Sequence, residues 1–159
     1  MRKPTNEKEA LLELASQCSR AEHCTYEMTE KMRRWGIDED AQERVIERLK
    51  KDKYIDESRY AAMYARDKAR FNKWGRRKIE QGLWMKRIPK DIANEALGTI
   101  SDDEYVSVLR PMLKQKRRSV KADSDYELKT KLIKFALQRG FTMDIISRCI
   151  DGADEIEEE

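Results

Sequence analysis

The stretch Met28-Thr29-Glu30-Lys31-Met32-Arg33-Arg34-Trp35-Gly36-Ile37 contains the pattern from which the fold can be predicted. An apolar residue is followed by further key residues at positions +4, +8 and +9. The same spacing recurs twice more along the chain: as Ile79, Leu83, Arg87 and Ile88, and as Leu132, Ala136, Gly140 and Phe141. Self-similarity at a fixed period is typical of repeat proteins. The sequence therefore predicts three copies of one structural unit.

Each copy has the features of a helix, a tight turn and a second helix. Apolar residues four apart lie on one helix face, and Gly36 and Gly140 stand where a helix end favours a left-handed residue. Asp38 and Thr142 are expected to cap the second helices of their copies, and Pro89 suits a first helical position. The buried face of the second helix is predicted to continue through Ala41, Val45 and Ile46, through Ile92, Ala96 and Leu97, and through Ile145, Cys149 and Ile150.

A further amphipathic helix precedes each pair. Its apolar stripe is predicted at Leu11, Leu14, Ala15 and Cys18, then at Tyr60, Ala61, Tyr64, Ala65 and Lys68, and finally at Tyr105, Val108, Leu109 and Met112. Pro111 is expected to kink or shorten the last of these helices. The predicted fold is all-α, with three tandem three-helix repeats at residues 5–56, 57–100 and 101–151. We expect the repeats to stack into an elongated, curved array, followed by an acidic disordered tail at 152–159.

Charge is unevenly distributed along the 159 residues. Charged residues make up 41% of the chain and the net charge is +3, yet residues 151–159 contain six acids and no base. Residues 1–150 therefore carry +9, and the segment from Arg66 to Lys90 holds ten bases against two acids. Such a segment is typical of a protein that binds a polyanion, although a solvated helix face produces the same pattern.

The sequence gives little indication of catalysis, of a cofactor or of a metal site. His23 is the single histidine, Cys18 and Cys24 beside it do not have zinc-site spacing, and no phosphate-binding glycine loop is present. Three irregularly spaced cysteines argue against a disulfide framework. No signal peptide is recognised at the start, and no apolar run approaches the ~20 residues that span a bilayer. We expect a cytoplasmic, non-enzymatic monomer without a cofactor.

The basic residues supply the candidate contacts with a partner. In the second repeat they are Arg66, Arg70, Lys73, Arg76, Arg77, Lys78, Lys86 and Arg87, together with Trp74; in the third they are Lys114, Lys116, Arg117 and Arg118. Arginine binds phosphate through paired donors, and an exposed aromatic ring can stack on an unpaired base. Phe71 and Trp74 either serve in this way or pack between repeats, and Trp84 is open to both interpretations.

Three short stretches carry a resemblance to a known family. Tyr54-Ile55-Asp56-Glu57-Ser58-Arg59-Tyr60-Ala61 resembles the signature that opens the second repeat of RecX proteins. Trp74-Gly75-Arg76-Arg77-Lys78-Ile79 and Leu137-Gln138-Arg139-Gly140-Phe141 are similar to two further turns of that family. The resemblance covers about residues 8–150. Two departures lead to expectations: Arg87 replaces the usual glycine, so the second turn should differ, and Cys24 replaces a serine cap, so its helix should be less well capped.

The resemblance implies a protein that acts by binding. RecX-like proteins lie in the groove of the RecA filament on single-stranded DNA, where they hinder filament growth and suppress ATPase, strand-exchange and coprotease activities. Several weak contacts along such a groove add through effective concentration. Two alternatives from the residues stay open: a free-standing helix-turn-helix DNA-binding protein, and a helical-repeat scaffold that binds only protein.

Overall fold

The computed structural model describes the backbone of residues 2–158 and the side chains of residues 2–150. Within these residues the chain forms nine helices and no strand. They are α1 (Glu7–Arg20), α2 (Thr25–Arg34), α3 (Glu39–Lys51), α4 (Glu57–Arg70), α5 (Arg76–Met85), α6 (Lys90–Gly98), α7 (Asp102–Ser119), α8 (Asp125–Gln138) and α9 (Met143–Glu158). The predicted all-α tandem repeat is confirmed, since the helices follow the chain as three triplets.

The turn between the second and third helix has the same geometry in every triplet. The apolar residue after the turn donates its N–H to the carbonyl five residues earlier, at 3.1 to 3.2 Å: Ile37 to Met32, Ile88 to Leu83, and Phe141 to Ala136. The residue before it is left-handed each time, with φ of 76° at Gly36, 59° at Arg87 and 92° at Gly140. The expectation that Arg87 would change the second turn is therefore wrong. The hydrogen bonds of the helix end impose the conformation without a glycine.

One other expectation needs correction. Pro111 does not end α7 early, since the helix continues to Ser119; a kink at Pro111 stays a prediction. That Cys24 caps α2 less well than serine would also stays a prediction, and the Glu27 carboxylate accepts a hydrogen bond from the Cys24 N–H at 3.1 Å. This contact supplies the acidic half of a capping box. Asp38 caps α3 as predicted, since its side chain accepts from the Ala41 N–H at 2.9 Å.

The chain divides into two compact units, each with its own core. The first comprises Met1–Met63 with Leu83–Ala93, and the second comprises Tyr64–Gly82 with Asn94–Glu159. The core of the first unit includes Leu14, Met28, Met32, Val45 and Leu49, and that of the second includes Ile79, Leu109, Leu132, Phe141 and Ile146. The repeat boundaries at 56/57 and 100/101 stay a prediction, as does the shape of the array.

The predicted buried positions are largely those that the structure buries. All the key residues of the three turn patterns are buried except Gly36 and Arg87, and so are Ala41, Ala96 and Cys149. The first helix of each triplet agrees less well: α7 buries Val106 and Leu113, while Val108 and Met112 are only half-buried. An apolar stripe drifts around a long helix, so neighbouring apolar residues compete for the buried face. The side chains of residues 151–159, which include the acidic tail, are not among those that the structure describes. The backbone of α9 continues helically to Glu158. The disorder of 152–159 stays a prediction.

Candidate nucleic-acid interface

Trp74 lies between α4 and α5 and is flanked by two lysine ammonium groups. Lys68 Nζ is 4.9 Å from the centroid of its ring and Lys78 Nζ is 4.7 Å away. Both distances suit a cation–π contact. Two like charges thus lie close to one ring. The loop that carries the ring also contains Lys73, whose backbone is left-handed with φ of 57°. Neither lysine forms an ion pair with a carboxylate of the described residues, so the two cations are suited to binding an anion.

Phe135 on α8 repeats this arrangement. Lys116 Nζ from α7 is 5.1 Å from its ring centroid, and the guanidinium of Arg139 is 4.9 Å away. Arg139 is four residues after Phe135, a spacing that brings side chains together at a helix end. A second ring therefore also carries two cations.

Backbone contacts bring the two rings into one region. The Gly75 N–H donates to the Arg139 carbonyl at 2.8 Å, and the Arg77 N–H donates to the Gly140 carbonyl at 3.0 Å. The turn after α8 thus lies against the start of α5, and the carbonyl end of one helix meets the N–H end of the other, as helix dipoles favour. The fit is close: a Cβ on Gly75 would lie 2.3 Å from the Phe141 nitrogen.

We call this region the basic-aromatic surface. It comprises Lys68, Trp74, Lys78, Lys116, Phe135 and Arg139. The sequence prediction included Trp74, Lys78 and Lys116 but not Lys68, Phe135 or Arg139. The i, i+4 spacing of Phe135 and Arg139 could have indicated their contact from the sequence. No sequence pattern indicated the contact between the turns at Gly75 and Gly140, which are 65 residues apart.

The other predicted contact residues of this unit differ in their exposure to solvent. Arg66, Arg70, Lys73 and Arg77 are exposed, as are Lys114 and Arg118, whereas Arg76 and Arg117 are half-buried. Arg76 lines a cleft of about 260 Å³ beside Tyr105. Burial raises the pKa of Tyr105 to about 12, against the opposing effect of the Arg76 guanidinium.

Lys86 and Arg87 belong to the first compact unit and contact the start of α2. Lys86 Nζ is 3.3 Å from a Glu27 carboxylate oxygen, and the Arg87 guanidinium is 5.3 Å from the centroid of the Tyr26 ring. The Cys24 thiol lies 3.8 Å from the Lys86 carbonyl oxygen, which it faces as a donor. These two predicted contact residues therefore already have partners within the chain.

The two units differ in how their cations are paired. In the first, Arg44 pairs with Glu7, Arg48 with Asp52, Arg59 with Glu22 and Lys86 with Glu27. The second unit also has ion pairs, of Lys131 with Glu127 and of Arg148 with Asp103. None of the described carboxylates, however, forms an ion pair with Arg66, Arg70, Arg77 or a cation of the basic-aromatic surface. These unpaired charges form the strongest candidate for a polyanion contact.

The aromatic residues that the sequence left open fall into two groups. Phe71 is 78% exposed and Trp84 is 76% exposed, so neither packs in a core. Trp74 is half-buried between its lysines. Phe71, next to Arg70, is therefore an exposed ring among the cations of the second unit and is open to a stacking partner.

Over the described residues, no helix combines the length and the apolar character needed to cross a bilayer. The three cysteines are free thiols: Cys18 is half-buried, and Cys24 and Cys149 are buried. Burial raises the pKa of each of these thiols, that of Cys24 to about 11.

Comparison with known proteins places the whole repeat array in one family. Models of the first, second and third three-helix domains of RecX match residues 15–49, 56–97 and 102–150. A protein of Clostridium perfringens named regulatory protein RecX is 34% identical over 120 residues, which cover 74% of this chain and 56% of that relative. A Bacillus cytotoxicus protein of the same name is 26% identical over 146 residues, or 92% and 54% of the two chains.

The fold is also that of a solved relative. The crystal structure of RecX from Lactobacillus salivarius superposes with a TM-score of 0.85 at 24% identity, covering 93% of this chain and 96% of the other. The chain spans just over half the length of the curated relatives above. Three domain models in the family's order, matched by three helix triplets, establish the relationship. The chain belongs to the RecX family.

Proposed function

We propose that this chain is a regulator that binds the RecA filament on single-stranded DNA and inhibits its ATPase, strand-exchange and coprotease activities. It acts by binding and not by catalysis, in the cytoplasm. Support comes from its family, whose curated relatives are named regulatory proteins, and from a surface that suits a nucleoprotein partner.

The unpaired cations of the second unit carry the proposal. Two rings each hold two cations within 5.1 Å of their centroids, and exposed arginines flank them. Cations that lack a carboxylate partner lose no internal ion pair when they bind phosphate. They also release counterions from the nucleic acid, which drives binding at low salt. Phe71 supplies an exposed face on which an unpaired base can stack.

The experiment is a titration of the DNA-dependent ATPase of RecA at a fixed concentration of single-stranded DNA. We expect inhibition at substoichiometric amounts of this protein, because one molecule that bridges several protomers blocks more than one site. An unchanged ATPase rate at a full equivalent of protein would contradict the proposal.

A matched pair of triple variants tests the contact surface. Arg66→Gln, Arg70→Gln and Arg77→Gln remove three exposed charges near the basic-aromatic surface, and Lys8→Gln, Lys50→Gln and Lys51→Gln remove three exposed charges in the first unit. Each phosphate contact on a single strand contributes about 0.7 to the slope of log affinity against log salt, so the first variant should lower that slope by about 2. The control variant should leave it unchanged.

The alternatives give different results in the same assays. A sequence-specific footprint on duplex DNA without RecA would favour the helix-turn-helix protein. Binding to RecA that does not depend on salt, with equal behaviour of both triple variants, would favour a scaffold that contacts protein alone.

A further inference from the structure

The hairpin of α7 and α8 is longer than the corresponding hairpins of the other two triplets. α7 has 18 residues, whereas α1 and α4 each have 14. α8 has 14 residues, whereas α2 and α5 each have 10. Counted back from the left-handed residues Gly36, Arg87 and Gly140, α2 and α5 begin 11 residues earlier and α8 begins 15 residues earlier. The additional turn of α8 therefore lies at its start, next to the end of α7.

The additional length of this hairpin contributes nothing to the core. The last buried residue of α7 is Leu113 and the first buried residue of α8 is Leu132. All residues between them, 114–131, are exposed or half-buried, whereas the corresponding stretch of the second triplet is only residues 70–74. We call residues 114–131 the arm. Helical turns that bury no apolar face gain little stability from tertiary packing, so a role in folding does not account for the arm.

The arm is strongly basic where α7 ends. It contains seven basic and three acidic residues, and residues 114–121 hold five bases and no acid. Lys114, Arg118 and Lys121 are exposed, and none of them forms an ion pair with a described carboxylate. Lys114 and Arg118 are four residues apart on one helix face, where like charges repel each other. The dipole of α7 favours cations in its last turn, but Lys114 lies before that turn.

The acidic residues of the arm act locally at the start of α8. The Glu127 carboxylate accepts a hydrogen bond from the Asp123 N–H at 3.0 Å and pairs with Lys131 at 3.0 Å. The Ser124 hydroxyl oxygen accepts from the Glu127 N–H at 3.1 Å. Asp125 lies in the first turn of α8, where the helix dipole favours a negative charge. These contacts stabilise the helix start and leave the exposed cations at the end of α7 without a partner.

The arm is continuous with the basic-aromatic surface, because Lys116 belongs to both. Its Nζ lies 5.1 Å from the centroid of the Phe135 ring, and the Arg139 guanidinium is 4.9 Å from the same ring. Cations therefore continue from this ring onto the end of α7. A linear polyanion bound to the surface can extend along the arm, whereas a small anion contacts only one of the two. This continuity favours a nucleic-acid strand as the partner.

We propose that the arm is a separate nucleic-acid-binding element that holds a single strand through its phosphates. The inference rests on the proposed function for the identity of the strand, but the contact is direct and does not require RecA. Phosphates offset the repulsion between the cations of the arm and give order to two helical turns that the core does not support. The third repeat thus carries a binding element that the first two repeats lack.

Fluorescence anisotropy with a labelled oligothymidylate, without RecA and over a range of salt concentrations, tests the proposal. The arm variant is the triple change Lys114→Gln, Arg118→Gln and Lys121→Gln. All three side chains are exposed and glutamine is a good helix former, so the fold should be retained. Three lost phosphate contacts should lower the slope of log affinity against log salt by about 2. The first-unit triple variant, which is the control for the contact surface, should keep the native slope. An arm variant with the native slope and affinity would overturn the proposal.

Hydrogen exchange measured by mass spectrometry locates the contact in the native chain. Helical turns with few buried contacts open at low free energy, so peptides that cover 114–131 should exchange quickly in the free protein. Saturating oligothymidylate should slow their exchange at least tenfold. Protection by RecA alone and none by the oligonucleotide would assign the arm to a protein surface and overturn the proposal. The ATPase of RecA is a separate measurement: if it is not inhibited while the arm still binds the oligonucleotide, the proposed function fails and the inference stands.

Discussion

Replacement of Gly75 by alanine should disrupt the second unit although it adds one methyl group. The new Cβ would lie 2.3 Å from the Phe141 nitrogen and 2.4 Å from the Gly140 carbonyl carbon. Both are main-chain atoms of a tight turn, so they cannot move aside as a flexible side chain does. Phe141 is buried and its ring meets Tyr105 edge to face at 6.4 Å. A shift of its backbone therefore disturbs the core.

The magnitude follows from two contributions. Overpacking costs about 1–3 kcal/mol. Loss of the two main-chain hydrogen bonds, from the Gly75 and Arg77 N–H groups to the Arg139 and Gly140 carbonyls, costs about 1 kcal/mol each. We expect Gly75→Ala to lower the free energy of unfolding by about 3–5 kcal/mol. For a chain of this size that lowers the Tm by roughly 6–20 °C.

Gly98→Ala is the matched control. The chemical change is the same, but no described atom lies within 4 Å of that Cβ and Gly98 is the last residue of α6. Alanine there should be neutral or stabilise by up to about 1 kcal/mol. Urea unfolding followed by circular dichroism and by tryptophan fluorescence compares the two. Equal midpoints for both variants would refute the close approach of the two turns.

Three further predictions concern single features. Arg87→Gly should be more stable towards urea than Arg87→Ala by about 1 kcal/mol, because glycine relieves the left-handed backbone and both variants lose the Tyr26 contact; equal stabilities would contradict the conformation. Since burial raises the pKa of Cys24 to about 11 from 9.0, its thiolate fraction at pH 8 falls about a hundredfold. Alkylation of Cys24, measured by mass spectrometry, should be slower by at least that factor in the native protein than in urea, and equal rates would contradict its burial. Deletion of residues 152–159, which hold five acids, should raise affinity for single-stranded DNA at low salt; affinity unchanged at every salt concentration would exclude competition by the tail.

The repeat architecture was predictable because each helix–turn–helix carries its own local signals. Gly36 and Gly140 indicated two turns, and the apolar spacing indicated all three, since the residues at +4 and +9 had to face one core. The spacing did not reveal that Arg87 adopts the same backbone conformation. That conformation comes from the hydrogen bonds of the helix end, which any residue can form at a cost in strain.

The candidate site was predictable only where it is local. Basic residues around Trp74 are adjacent in sequence, so their cluster was visible. The cluster at Phe135 joins residues of α7 and α8, and the contact between Gly75 and Gly140 depends on tertiary packing. Lys86 was predicted to contact a partner because its charge was visible and its ion pair with Glu27, 59 residues away, was not.

The contact between the Arg139–Gly140 turn and the start of α5 consists largely of main-chain atoms, and a glycine on each side, Gly75 and Gly140, admits them. A connection of this kind places few demands on the identity of the surrounding side chains. Surface residues on either side are therefore free to diverge for new partners while the attachment between neighbouring modules persists. Duplication of a module would likewise bring its own connector, so such chains can lengthen by whole modules without the evolution of a new interface.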